Sequence, residues 1–424
     1  MSSMSQTLLQ KRVSIIAMLS VTALSMIGNN LTFIAIPWFV LQTTGSALKV
    51  GLTSGVITLA IVLSGIFGGP IVDRLGFKRS SIAADLCSGI AVALIPLIYV
   101  TIGLYFWLLL LLVFVSNVLN SSGANARQSL IPILAENAGI TKEKANSAYQ
   151  AVQRVASLVG PLVAGILILL LKVNNVLWID AVTFLLSACV IFITVSFPSQ
   201  VQNSTMKTVI EKNDYFVELM AGLRFIWQDR LILALVIVGV ISNMFLTPLF
   251  TVIMPVYVQQ TYGKALYLGL IIASFSVGSL GGAILFGAIS SSLPRRLTYI
   301  IANVVAVTPF LVLALAPPLI VSLGVLAIAG FALGPLNPII YTIIQERTSK
   351  EMLGRVNGAF TSLALAAVPF GSLLEGYIVG VIGVRFTLYA IAICYAILCL
   401  SILFNSSLYQ MKSASQEQRN IEQL

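Results

Sequence analysis

Histidine is absent from this 424-residue chain, and only 14 acidic and 24 basic residues are present. Its absence removes the commonest metal ligand and the usual proton shuttle near neutral pH. Charged residues make up 9% of the chain, against about 25% in a soluble domain, which excludes an ordinary globular fold. The four cysteines, Cys87, Cys189, Cys394 and Cys399, all fall within apolar runs. They read as small core residues rather than disulfides or metal ligands, so no metal and no cofactor is expected. A nucleotide-binding glycine loop is missing, so ATP is not the expected energy source. The lack of histidine, of paired deep carboxylates and of a sizeable soluble domain argues against an enzyme. A cleavable signal peptide is not apparent either. Lys11 and Arg12 precede an apolar run too long for one, and the first helix is expected to remain as a span.

What remains is hydrophobic: 58% of residues, with a mean hydropathy of +1.01. The solvent is lipid, where only helices or closed barrels satisfy their own backbone. Runs of roughly 20 apolar residues select helices over the short alternating strands of a barrel. Twelve spans are expected, over 13–41, 50–72, 80–102, 104–126, 150–171, 176–197, 231–258, 267–290, 297–316, 319–343, 357–380 and 385–408. With both termini in the cytoplasm, only Lys49, Lys172, Lys264 and Arg385 fall outside, leaving 20 of the 24 basic residues within. That asymmetry accounts for the net charge of +10 without invoking nucleic acid.

The longest polar interval divides the spans six and six. Three parts follow: an N-terminal half over 1–197, a cytoplasmic linker over 198–230, and a C-terminal half with its tail over 231–424. In the linker, Phe216, Leu219, Met220, Leu223, Ile226 and Trp227 recur at helical spacing, which predicts an interfacial helix anchored in membrane lipid by Trp227. The halves repeat. An offset of 218 carries Pro37 to Pro255, Gly45 to Gly263, Gly51 to Gly269, Gly69 to Gly287 and Asp85 to Asn303. A second offset, of 211, carries Gly160 to Gly371 and Gly165 to Gly376.

Between the second and third spans lies Gly69-Pro70-Ile71-Val72-Asp73-Arg74-Leu75-Gly76-Phe77-Lys78-Arg79. Its charges place it at a membrane face, and Gly69 and Gly76 permit the close approach and dihedrals of a short link. A hinge of this kind can hold two bundles in one arrangement and release them in another; alternatively, its positive charge only sets topology. The segment resembles the loop between helices 2 and 3 of the major facilitator superfamily, G-x-x-x-D-R-x-G-R-[RK]-[RK]. Gly69, Asp73, Arg74, Gly76, Lys78 and Arg79 match, with Phe77 in place of the first arginine. The resemblance implies an all-α membrane protein with twelve transmembrane helices in two six-helix parallel repeats. It also implies that the charged residues latch the cytoplasmic side.

Further matches narrow the branch. Gly28-Asn29-Asn30 with Pro37-Trp38 is similar to the opening of macrolide-efflux and enterobactin-exporter-like members, and Glu218 to Phe225 resembles the segment that opens the second half in the macrolide-efflux branch. Gly160-Pro161-Leu162-Val163-Ala164-Gly165 resembles the end of the drug-antiporter motif, and as a bend it needs only proline and glycine. Gly334-Pro335-Leu336-Asn337-Pro338 reads as a broken helix. Asn29, Asn30, Trp38, Asn243 and Asn337 are candidates to line a substrate cavity, and amides can equally serve as interhelical glue. Three acids lie within the spans. Asp85 stands ~9 Å along the third helix and competes between a proton role and pairing with Arg127. Asp180 is expected near outer water, close to a helix N-terminus. Glu375 stands alone in an apolar run.

Taken together the resemblance implies a bacterial cytoplasmic-membrane secondary transporter, a monomer exporting small amphipathic organic molecules against inward proton movement. The candidate proton carriers are Asp85, Glu375 and Asp180. A specific exporter of a metabolite, siderophore or lysophospholipid, or a non-transporting membrane enzyme or receptor, are the alternatives.

Overall fold

A computed structural model describes residues 2–194, 215–290 and 293–411. The described residues are almost wholly helical. In the first half these are α1 (Ser2–Thr44), α2 (Ala47–Leu75), α3 (Phe77–Thr101), α4 (Phe106–Asn137), α5 (Lys142–Leu171) and α6 (Val173–Thr194). In the second they are α7 (Tyr215–Gln228), α8 (Arg230–Pro248), α9 (Met254–Thr261), α10 (Ala265–Ile289), α11 (Arg295–Val305), α12 (Thr308–Leu313), α13 (Leu319–Leu333), α14 (Leu336–Arg347), α15 (Leu353–Ala366) and α16 (Val368–Phe404).

Among the described residues, eleven stretches are long and apolar enough to cross a membrane. The last, Leu353–Phe404, has 52 residues and as one helix would run about 78 Å, more than twice the ~30 Å hydrocarbon core. Gly383, at φ 80°, turns the chain inside it, so the stretch supplies two spans and the total is twelve. Span 7 is α8 and α9 joined through a π-helical turn, Leu249–Ile253. Span 9 is α11 with α12, span 10 is α13 with α14, and span 11 is α15 with α16 up to Gly383.

Contacts divide the chain into two units, Met1–Thr43 with Val56–Lys212, and Thr44–Gly55 with Asn213–Leu424. The first turns of α2 therefore belong with the second unit. The expected linker falls mostly on 195–214, outside the described residues. Its later part is α7, whose Gly222 presses on the Arg355 carbonyl of α15 and whose Trp227 is exposed.

Small residues set the helix spacing, because lipid provides no hydrophobic drive between helices and backbones must approach closely. In the first unit Gly89 on α3 meets Phe184 and Ala181 on α6, and Gly123 on α4 meets Ala84 on α3. In the second unit Gly278 and Gly282 on α10 press on the backbone of Ala327 and Phe331, while Gly330 and Gly334 press back on Phe275 and Ser279. This double four-residue glycine spacing joins spans 8 and 10. Outward faces are apolar, as lipid demands: Phe192, Ile320 and Phe404 are all exposed. Cys87, Cys189 and Cys394 also lie on exposed faces, contrary to the expectation that they fill the core; only Cys399 is buried. A helix exposed to lipid accepts a small thiol as readily as a core does.

Several helices run past the expected span ends. The charged stretch at 69–79 is not a loop. α2 continues to Leu75, α3 begins at Phe77, and Gly76 alone links them at φ 81°, ψ 145°.

Candidate functional site

The first unit is built around a buried ion pair. Asp85 on α3 and Arg127 on α4 approach to 2.5 Å, and their side chains are 0% and 3% exposed. Arg127 Nη2 also donates to Ser25 Oγ on α1 at 3.0 Å, and Ser187 Oγ on α6 donates to Asp85 Oδ2. Four helices thus meet at one charge-compensated node. Both charges are satisfied, which a low-dielectric interior requires.

Two turns nearer the N-terminus of α6, Asp180 is fully buried, not near outer water as its position in the chain suggests. Thr32 on α1 and Thr183 donate to its two carboxylate oxygens, and Gly28 leaves it room, since a Cβ there would strike Oδ1. The reason for the difference is lateral. Linear distance from the helix end gives depth but not which neighbour covers the residue.

Beside Thr32 opens a cleft of about 250 Å³, lined by Asn29, Asn117, Asn120, Ser116, Phe33 and Phe184 among others. These residues sit near the middle of α1, α4 and α6. Asn120 Nδ2 donates to Asn29 Oδ1 at 2.7 Å, while the Asn120 amide oxygen is buried without a hydrogen-bond partner among the described residues. Thr32 also lines the cleft, so a single hydroxyl separates Asp180 from it. None of the lining residues among those described is charged.

Of the candidates for cavity lining, Asn29 lies in this cleft and Asn30 does not. Asn30 donates to the Met26 carbonyl at 2.8 Å and the Ala156 carbonyl at 3.4 Å, and it fills the space that Gly160 leaves on α5. It holds α1 to α5. Trp38 is buried, its indole N–H without an acceptor among the described residues. Asn243 is half-buried in α8, and Asn337 and Pro338 are exposed on α14. Asn117, Asn120 and Thr32 line the cleft without being among the sequence candidates, although Asn117 and Asn120 stand three apart on one helical face of an apolar run, a pattern visible in the sequence.

At the charged stretch, Asp73 lies on the last turn of α2; its side chain is not among those described. Arg74 and Arg79 are exposed. Lys78 Nζ donates to the Phe192 carbonyl at 3.1 Å and lies 5.6 Å from the Phe192 ring centre. Phe77 packs against the apolar cluster of Ile15, Met18, Leu134 and Tyr149, which explains an aromatic where the motif carries arginine. The close approach expected at Gly69 belongs to Gly68, where a Cβ would crowd Ser122 Oγ; Gly69 faces open space.

In the second unit, Asn303 takes the position that Asp85 holds in the repeat. It is buried on α11, and Tyr395 on α16 donates to its side-chain oxygen at 3.3 Å. The repeated loop carries Arg295, bonded to both Glu346 oxygens at 2.6 and 2.8 Å; Ser291 and Ser292 are outside the described residues. Pro335 caps α14 where span 10 breaks, whereas α5 runs on as one helix through Gly160 and Pro161. At the start of span 7, Asp229 caps α8 and pairs with Arg347 at 2.7 Å. Burial raises the Asp229 carboxyl, but hydrogen bonds from Arg347 and the Ile232 and Leu231 amides outweigh it and hold the group below its usual range. Glu375 is 1% exposed, and neither of its oxygens has a hydrogen-bond partner among the described residues.

Twelve helical spans, broken helices at mid-depth and a polar cleft within a half-bundle define a membrane transporter. The Major Facilitator Superfamily profile matches residues 18–365 and 249–422, and the chain belongs to that family. It is 30% identical over 392 residues to the multidrug efflux pump Tap of Mycolicibacterium fortuitum, covering 92% of this chain and 95% of that one. It is 24% identical over 383 residues to macrolide efflux protein A of Streptococcus pyogenes, covering 89% and 93%. The crystal structure of the nucleoside transporter NupG shares the fold, with a TM-score of 0.76 at 10% identity over 94% of this chain and all of that one.

Proposed function

We propose that this transporter exports small amphipathic organic molecules from the cytoplasm, driven by inward proton movement through alternating access of its two halves. The observation that carries the reading is the first unit's mid-depth cleft, whose amides, hydroxyls and two phenyl rings carry no charge. Such a lining suits bulky, weakly polar cargo: the rings supply apolar contact, and the Asn29–Asn120 pair offers hydrogen bonds to carbonyl or hydroxyl groups. The efflux relatives support the same class of cargo. Asp73 and its basic neighbours serve as the cytoplasmic latch, with both termini on that side.

Inverted vesicles provide the test. Uptake of a fluorescent amphipathic dye should follow an imposed pH gradient and stop when a protonophore is added; uptake indifferent to the protonophore removes the proton coupling. Asn120→Leu should raise the half-saturating dye concentration roughly tenfold, the loss of one or two hydrogen bonds at ~1 kcal/mol each. An unchanged value would remove the cleft from the cargo path.

A further inference from the structure

The most unusual side chain outside the cleft is Glu375, and its surroundings give it a role. The first turns of α2 pack against span 11 entirely within the second unit. Gly51 sits against the Ser372 carbonyl and Gly376, Gly55 against the Pro369 carbonyl, and Gly376 against the Ala47 carbonyl. On its other side span 11 meets span 7, where Gly371 touches the Met244 carbonyl. One turn outward along these two parallel helices brings Glu375 level with Pro248 and the π-helical turn. The Thr251 carbonyl in that turn lacks its ordinary helical donor, because the residue four positions on is Pro255, and it accepts from Ser54 Oγ of α2 at 3.0 Å. π-turns of this kind concentrate at functional positions.

Glu375 therefore lies in a three-helix seam closed by backbone contacts. The Ser372 hydroxyl in the same seam also has no partner among the described residues. Few charged groups face the carboxyl. After Arg230 at its start, span 7 carries no titratable side chain before the buried phenol of Tyr257. On α2 the only one in reach is Lys49, about 160° around the helix from the Ala47–Gly51–Gly55 stripe. On α16, Tyr377 and Arg385 are exposed. A carboxylate enclosed here would carry an uncompensated charge, a cost that the neutral acid avoids.

We propose that Glu375 is a proton-binding site that licenses closure of this seam: the first turns of α2 seat against span 11 only when Glu375 carries its proton. The step balances simply. One proton from outer water joins the carboxylate while the seam is open, and it leaves from the acid after the chain has rearranged. The proposal rests on the export reading and assigns its proton to one residue.

Pulsed electron resonance between spin labels tests it on the full chain in lipid nanodiscs. Leu48→Cys and Tyr377→Cys place the labels on exposed positions beside the seam, in a background whose native cysteines are alanine. The ratio of near to far label populations should fall as pH rises from about 5 to about 9, by up to about tenfold per unit for one titrating group. Glu375→Gln should hold the near population at every pH, and Glu375→Asp should restore the response. A pH response that persists in Glu375→Gln, or a parent protein without one, overturns the proposal. The measurement needs no cargo, so either result is independent of whether dye efflux is proton-driven.

Discussion

Arg127→Met should be among the most damaging single substitutions in the protein, and the structure says why. Removing the guanidinium leaves Asp85 0% exposed with a full charge and, among the described residues, only the Ser187 hydroxyl to offset it. Breaking a buried pair from one side costs ~3–5 kcal/mol, because the surviving charge keeps its desolvation penalty and loses its partner. Asp85→Asn should cost a similar amount for the mirror reason. The double variant, Asp85→Asn with Arg127→Met, removes both charges and strands only Ser25 and Ser187, each worth ~1 kcal/mol as a hydrogen-bonding partner. It should therefore sit above either single variant, and the double-mutant cycle should show strong favourable coupling. Unfolding in mixed micelles titrated with a denaturing detergent gives the free energies. A double variant no more stable than the worse single variant would refute the node as an electrostatic balance. In that case Asp85 returns as a candidate proton carrier, and the pH profile of Asp85→Asn transport becomes the deciding measurement.

Gly282→Val forces a branched side chain into the Phe331 carbonyl on the facing helix. Backbone contact leaves no flexible atom to yield, so span 8 should separate from span 10 and the thermal midpoint in detergent should drop by several degrees; Gly287→Ala, facing open space, is the control. Asp229→Asn tests the cap of α8. Its carboxyl sits below its usual range in the folded chain, so its contribution is full above the unfolded value of ~3.9 and fades as pH falls through the lower folded value. The stability difference between parent and Asp229→Asn should narrow below about pH 4, and a gap constant across that window would remove Arg347 as the partner that matters.

Hydropathy and the positive-inside asymmetry were enough to read the class of fold and the number of spans. They work because lipid punishes charge and unpaired backbone regardless of tertiary detail. The helix over Tyr215–Gln228 and the break at Gly334 and Pro335 were equally plain, since periodicity and proline act locally. Lateral placement was not legible. Nothing in the sequence says that Thr32 turns toward Asp180 or that Asn30 turns away from the cleft, because a one-residue step around a helix moves a side chain by 100°. Gly68 and Gly69 show the same limit: one carries the close contact, and its neighbour faces open space. Charge at 69–79 suggests solvent and hence a loop, yet α2 and α3 extend through the stretch and keep their hydrogen bonds there.

The three membrane carboxylates separate by what surrounds them, and that separation bears on which can carry a proton. Asp85 is matched by a guanidinium and two hydroxyls, and its counterpart in the repeat is the neutral Asn303, which likewise joins the third helix of its half to the sixth through Tyr395. A position that works with an amide in one half and a paired acid in the other fits a structural tie. Asp180 holds two threonine hydroxyls, one of which also lines the cleft, so its protonation state would be felt by cargo through Thr32. Glu375 has no hydrogen-bond partner among the described residues and lies where backbone seals against backbone. If protons are to be exchanged for cargo, a group near the cleft and a group at a seam can divide the task, one sensing occupancy and the other permitting closure. Asp180→Asn should then change the cargo dependence of the cycle and leave the seam's pH response intact, whereas Glu375→Gln should abolish the pH response and leave equilibrium dye binding unchanged. A swap of those two outcomes would reverse the assignment.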